Sequence, residues 1–376
     1  MEELMNIFKL EEYLARYEFS AKHLLCCSDA ESFAMSEIIS MADEQERDLW
    51  NHLRLGYTEA PGLPLLRATV AKELYHGLDA ENILMFAGAE EGIFCALSTL
   101  IEEHDHVIVL APCYQSLFEI PKFKGAEVAE IELKEEHNWR IELRAIYDFI
   151  KPNTKCIIIN FPHNPTGQVM EQDELQALIK ICEQRGIWLF SDEVYRLLGK
   201  PHKPWASPAA CLYDKALSVG VMSKAFGMAG LRIGWIACQD KAMLKKIEQM
   251  KHYTSICNSA PSEVLTLIAL RNKDAILERN NKIVADNLGL LDQFFTEYSH
   301  LFEWVYPQGG CVGFVKYKGP GSVETFCDRL VKKQNVLLMP ASIYDYASNH
   351  FRIGFGRKNM PQCLNQLKEF LRHEDI

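Results

Sequence analysis

Between residues 106 and 237 the chain alternates between two kinds of segment, and this alternation limits the folds open to it. Short runs rich in β-branched and apolar residues, at 106–110, 156–161, 187–191, 216–220 and 233–237, are separated by helical stretches. In 171–185, for example, Leu175, Leu178, Ile179 and Cys182 recur at helical spacing. Strands interleaved with helices cannot pair as hairpins, so they predict an α/β fold with a mainly parallel central sheet and helices on both faces. Ligands of such open sheets bind at the carboxyl ends of the strands. The polar residues just after each apolar run are therefore the ones to inspect.

Beyond Ser262 the pattern changes. It is mostly helical to about Tyr298, then returns to short strands near 303–306, 312–315, 336–339 and 351–353. This predicts a smaller α+β domain formed by the two chain ends: residues 1–46 packing with 273–376, around a large ligand-binding domain at 47–272. With 376 residues and 48% hydrophobic content, the chain has material for a sizeable core. Twelve cysteines without a C-x-x-C pair argue against a zinc site or a disulfide framework, and no metal is expected. A net charge of -11 with no basic run argues against nucleic acid. The stretch 1–17 is charged and helix-like, without the apolar core of a signal peptide, and no apolar run reaches membrane-span length. A cytoplasmic protein acting on small molecules is the expectation.

Three stretches lie where such a fold places chemistry. After 156–161 comes Pro162-His163-Asn164-Pro165-Thr166-Gly167, a turn whose Asn164 amide both donates and accepts hydrogen bonds. After 187–191 comes Asp192-Glu193-Val194-Tyr195. Asp192 is either a functional acid at a strand end or the cap of a following helix. After 216–221 comes Ser223-Lys224, with Arg232 inside Gly230-Leu231-Arg232-Ile233-Gly234. A lysine in apolar, glycine-punctuated surroundings is unusual, because lysine is rarely buried without a partner or a covalent role.

Together with Gly88-Ala89-Glu90, Pro112-Cys113-Tyr114, the segment around Leu55-Gly56-Tyr57 and Phe351-Arg352-Ile353-Gly354, these motifs make nearly the whole chain resemble the class I/II aminotransferases, fold-type I enzymes dependent on pyridoxal 5'-phosphate (PLP). The resemblance implies that Lys224 anchors the cofactor's aldehyde and moves the substrate's Cα proton. It implies that Asp192 faces the pyridine nitrogen, that Tyr195 and Asn164 bond the phenolic oxygen, and that Tyr114 stacks on the ring. The phosphate would be held by Gly88, Ala89, Glu90, Ser223 and Arg232, and by Tyr57 from the partner of a homodimer. Asn164 and Arg352 would bind the substrate carboxylate, and Asn258 is a secondary candidate. Two departures stand out. Val221 occupies a position where the family usually has Gly or Ser, and Ser28-Asp29-Ala30 replaces a Gly-x-Pro turn.

The implied reaction is ping-pong transfer of an amino group from an L-amino acid to a 2-oxo acid. The same residues also serve a lyase or cyclising synthase that eliminates or replaces a β or γ group. A non-catalytic sensor on this fold is the third reading.

Overall fold

A computed structural model describes residues 5–199 and 202–374; residues 1–4 of the N-terminal stretch, and 375–376 at the other end, lie outside the described residues. The apolar runs form a seven-stranded sheet of β1 (Ile83–Phe86), β2 (His106–Ala111), β3 (Glu127–Glu132), β4 (Thr154–Asn160), β5 (Trp188–Asp192), β6 (Ala216–Val221) and β7 (Gly234–Ala237). Their order is β1-β7-β6-β5-β4-β2-β3, and every pair is parallel except those of β7, which runs antiparallel to both its neighbours. β1 and β3 complete the sheet beyond the five strands expected from the sequence.

Strand residues alternate between the two faces, and the core divides accordingly. Val107, Val109, Cys156, Ile158, Leu217 and Val219 pack on one side with Ile93 and Leu97 of the helix Ala89–Leu100. Ile108, Leu110, Ile157, Ile159 and Leu189 pack on the other with Leu175, Leu178 and Ile179 of the helix Gln172–Arg185.

Strand order reverses around β2. The chain leaves β2 toward the edge strand β3, then returns to place β4 on the opposite side. The connections at the carboxyl ends of β2 and β4 diverge there and open a crevice, flanked by the loop that carries Tyr114 and the one that carries Asn164. Register brings Asn160, Asp192 and Val219 side by side.

The long helix Lys273–Glu297 leads to a second, antiparallel sheet of β8 (Phe302–Trp304), β9 (Val312–Tyr317), β10 (Met339–Pro340) and β11 (His350–Gly354), ordered β10-β11-β9-β8. The run expected as one strand at 336–339 is divided. Val336–Leu337 pairs in parallel with His23–Leu24, whereas Met339–Pro340 joins the antiparallel sheet. Leu338 sits between them with its carbonyl accepting from Tyr13 Oη of the helix Lys9–Tyr17 at 2.7 Å. That helix also reaches the loop after β2, where Lys9 N donates to Gln115 Oε1 at 2.9 Å. No described helix is long and apolar enough to cross a membrane.

The N-terminal segment presses closely on β11. Gly354 N donates to Leu25 O at 2.6 Å, and a Cβ on Gly354 would lie 1.8 Å from the carbonyl oxygen of Cys27. Backbone cannot yield there as a flexible side chain would. Gly354→Ala should therefore destabilise the fold by at least the about 1–3 kcal/mol typical of overpacking, read as a lower unfolding midpoint in urea; an unchanged midpoint would mean that the segment is not docked.

Candidate active site

The site forms where the large sheet's carboxyl edge meets the N-terminal segment and β11. Asn160, the last residue of β4, fixes two loops at once. Its Oδ1 accepts from Asn164 N at 2.9 Å, and its Nδ2 donates to Asp192 O at 3.1 Å. Asn164 Oδ1 accepts from Tyr344 Oη at 3.1 Å and from Arg352 Nη1 at 3.2 Å. Arg352 also donates through Nη1 to Tyr344 Oη at 2.6 Å and through Nη2 to Cys26 O at 2.7 Å. Its Nε, on a side chain only 2% exposed, has no partner among the described residues.

Asp192 ends β5 at 3% exposure. Its Oδ1 accepts from Val194 N at 3.2 Å, but no helix follows, so it closes a turn rather than capping a helix. Burial pushes its carboxyl up to about 7, although the Val194 N–H and the charge of Lys224 pull the other way. Tyr195, beyond the turn, is buried with its hydroxyl unpartnered.

Lys224 lies in the loop between β6 and β7. Its Nζ donates to Ser28 Oγ at 2.9 Å and stands 5.5 Å from the centre of the Tyr195 ring. Removal from water lowers its pKa, while Asp29 and Asp192 raise it and Arg352 lowers it further.

Arg232 has a left-handed backbone, with φ of 50°, and turns its guanidinium against the start of the helix Ala89–Leu100. A Cβ on Gly88 would come within 2.6 Å of Arg232 Nη2, and Gly88 itself has φ of 96°. Only glycine lets the helix N-terminus and the guanidinium approach this closely. Free N–H groups, the helix dipole and a fixed cation together make an anion cradle. Glu90 points its carboxylate at the Ser116 hydroxyl, and burial raises its pKa.

These groups line one cavity of about 340 Å³, which holds Ala89, Glu90, Tyr114, Asn164, Asp192, Tyr195, Ser223, Lys224, Arg232 and Arg352. Gly88 is not in that lining; it adjoins Ala89 and packs against Arg232. Val221 also lines it, offering an apolar wall where a hydroxyl would be a donor. Tyr57 does not join them; it is 91% exposed, beside Leu55 at 88%. Asn258 is likewise elsewhere, its Nδ2 donating to Glu263 Oε1 at 2.9 Å and its carbonyl accepting from Thr58 Oγ1 at 3.2 Å.

The remaining wall was not expected. Leu10, Glu11, Leu14 and Glu18 come from the N-terminal helix and its end, and Leu24, Cys26, Cys27, Ser28 and Asp29 follow. At about 100° per residue, Leu10, Glu11, Leu14 and Glu18 fall within one narrow face, a spacing readable in the sequence. What that face covers was not readable. Arg357, a residue open to reading as a surface charge or a salt-bridge partner, is the latter: its Nη2 bonds Asp29 Oδ2 at 2.7 Å and Oδ1 at 2.9 Å.

A family model described as aminotransferase class I and II matches residues 25–367. A PLP-dependent aminotransferase from Streptococcus suis 89-1591 is 32% identical and superposes with a TM-score of 0.92, covering 99% of each chain. The PLP-dependent cyclase OrfR is 26% identical with a TM-score of 0.90, covering 100% of this chain and 99% of that one. Capreomycidine synthase of Streptomyces vinaceus is 26% identical over 353 residues, 92% of this chain and 88% of the relative. The chain therefore belongs to the class I and II aminotransferases, the fold-type I enzymes that depend on PLP.

Proposed function

We propose that this protein is an aminotransferase that passes the amino group of an L-amino acid to a 2-oxo acid in a ping-pong cycle, with PLP held in the cavity between the two sheets. The observation that carries this reading is the convergence of Lys224, Asp192 and Arg352 on one cavity whose other polar walls are an anion cradle and an unpaired buried phenol.

The residues fit the cofactor's demands. An aldehyde needs an accessible amine of depressed pKa, which Lys224 offers. A pyridinium nitrogen needs a buried acid free of other cations, and Asp192 enters no ion pair among the described residues. A phosphate needs the cradle of Gly88, Ala89, Glu90 and Arg232, with Ser223 as a further donor in place of the side chain that Val221 lacks. The unpaired Tyr195 hydroxyl and the Asn164 amide suit a phenolic oxygen, and Tyr114 supplies a ring face. Bound there, PLP supplies an aldehyde that condenses with amines and a protonated ring that draws off the electron pair left when a bond to Cα breaks.

The chain's own residues do the rest. Arg352, with its Nη atoms tied to protein, offers its Nε edge to the substrate's α-carboxylate. Lys224 would take up the substrate's Cα proton at its Nζ, and its lowered pKa would favour giving that proton back. Ser28 holds that amine through its hydroxyl. Asp192 keeps a negative charge against the ring nitrogen only while that nitrogen is protonated. Tyr57, exposed with Leu55, fits contact with a second copy whose phosphate cradle it would complete.

A second reading, elimination or ring closure on an amino acid, is favoured by the likeness to OrfR and to capreomycidine synthase. It uses the same lysine, acid and arginine.

A panel of L-amino acids mixed with the PLP-loaded protein separates the two. Transamination should convert the visible absorbance stoichiometrically to that of the amine form and release a 2-oxo acid; turnover to ammonia or a cyclic product without an acceptor would replace this reading with the second. Lys224→Ala should slow either half-reaction by about 10²–10⁴-fold, measured by stopped-flow absorbance, and wild-type rates in that variant would remove the lysine from the chemistry.

Asp192 makes a pH prediction. In the cofactor-free protein its pKa is raised by burial from 3.8 to about 7, so the folded chain binds this proton more tightly than the unfolded chain does. Its contribution to stability is full at low pH and declines as pH rises from about 4 to about 7. The melting temperature of Asp192→Asn relative to wild type should climb across that window, yet the variant should bind PLP at least about tenfold more weakly at neutral pH. A difference that stays flat with pH would sink the burial argument.

Tyr57→Phe should weaken PLP retention several-fold if the tyrosine completes a partner's site, and sedimentation should show a dimer. A monomer with normal retention would leave Tyr57 without this role.

A further inference from the structure

We propose, resting on the amino-acid reading above, that the substrate's side chain ends in a cation, an ammonium or guanidinium, received by Glu11 and Glu18 of the N-terminal helix. Five acids line the cavity: Glu11, Glu18, Asp29, Glu90 and Asp192. Three are already engaged. Arg357 holds Asp29 through two short contacts at 2.7 and 2.9 Å, the Ser116 hydroxyl donates to Glu90, and Asp192, which accepts from Val194 N, would be taken up by the ring nitrogen on that reading. The lining cations Lys224, Arg232 and Arg352 are engaged likewise, by amine chemistry, phosphate and α-carboxylate. Among the described residues the carboxylates of Glu11 and Glu18 enter no salt bridge or side-chain hydrogen bond.

Glu11 stands exposed in the first turn of the helix, and Glu18, half-buried at its other end, is the more costly of the two to leave unpaired. Glu18 is the C-cap of the helix Lys9–Tyr17, where the helix dipole already presents negative charge. Burial, Asp29 and Glu11 all raise its pKa, against weaker opposition from Arg357 and Lys224. A carboxylate so placed gains from any cation brought to it. The same helix face sets Leu10 and Leu14 between the acids, and Leu24 lies beside them, giving an alkyl chain an apolar wall.

An independent observation marks the same cavity as a ligand site. Arg352 and Tyr195, each 2% exposed, line it, and among the described residues Arg352 Nε and Tyr195 Oη are buried without a hydrogen-bond partner. The cavity thus has buried polar side chains with unpartnered atoms in its depth and unpaired acids on the wall that the N-terminal helix provides. A dicarboxylic substrate would set a second anion against Glu11 and Glu18 with no lining cation left to receive it. A neutral side chain would take water from those acids and return no partner.

The test uses the PLP-loaded protein and two readouts. Stopped-flow absorbance follows the half-reaction with L-arginine, L-lysine, L-citrulline, L-norleucine and L-aspartate. Calorimetry compares 5-guanidinopentanoate with its neutral counterpart 5-ureidopentanoate, neither of which has an α-amino group to react. We expect L-arginine or L-lysine to exceed L-citrulline and L-norleucine by about tenfold or more in kcat/KM, with a matching preference in the binding constants. Whichever of the two cations leads names the group as guanidinium or ammonium. Glu18→Gln and Glu11→Gln should each narrow both ratios toward one, and the binding readout holds even where a variant's chemistry slows. Equal or better reaction with neutral side chains, a preference for L-aspartate, or ratios untouched in both variants would overturn the proposal. No spectral response to any amino acid would overturn the amino-acid reading itself, a result distinct from a response that favours neutral side chains.

Discussion

The buried guanidinium of Arg352 is the contact on which the site depends. A cation at 2% exposure must find acceptors within the protein, and both Nη atoms do so while Nε does not. Here the acceptors come from three separate parts of the chain: the Asn164 amide after β4, the Tyr344 hydroxyl before β11, and the Cys26 carbonyl of the N-terminal segment. The arginine therefore joins the large sheet, the small sheet and the N-terminal segment in one knot. From Asn164 the network continues through the Asn160 side chain to the backbone of Asp192. The buried guanidinium and the buried acid are thus placed relative to each other by hydrogen bonds rather than by loop packing alone.

Much of this was legible in the residues because the constraints are local. Apolar runs bounded by Pro, Gly and Asp gave β4, β5 and β6 to within two residues, and the polar residues after them do meet at the carboxyl edge. β1 and β3 were missed for opposite reasons. Ile-Leu-Met-Phe in β1 has no alternation to distinguish a doubly buried strand from a helix turn, and Glu127–Glu132 is an edge strand whose exposed glutamates read as helix formers. The direction of β7 was also hidden, since pairing sense lies in the connection rather than in the strand. Asn160 carried a faint signal, a lone amide closing an apolar run.

The role of the N-terminal helix was not legible, because it is decided by contacts more than a hundred residues away. Its amphipathic spacing announces a helix but not what the helix covers. Tyr13 reaches Leu338, Lys9 reaches Gln115, and the strand His23–Leu24 adds itself to Val336–Leu337. These place Glu11, Glu18, Ser28 and Asp29 on a cavity whose remaining walls come from residues as distant as Ala89 and Arg352. Where the sequence departs from the usual Gly-x-Pro turn, the structure puts Ser28 on Lys224 and Asp29 on Arg357.

That placement links the lysine to the substrate wall. Ser28, which bonds the Lys224 amine, and Asp29, whose charge bears on both Lys224 and Glu18, follow directly on Cys26, whose carbonyl is bound by Arg352. Undocking this segment would withdraw a hydrogen bond from the lysine, an acceptor from the arginine and the acidic face from the cavity together. The Lys224 amine, the Arg352 guanidinium and the acidic face of the cavity are therefore coupled through one tertiary contact.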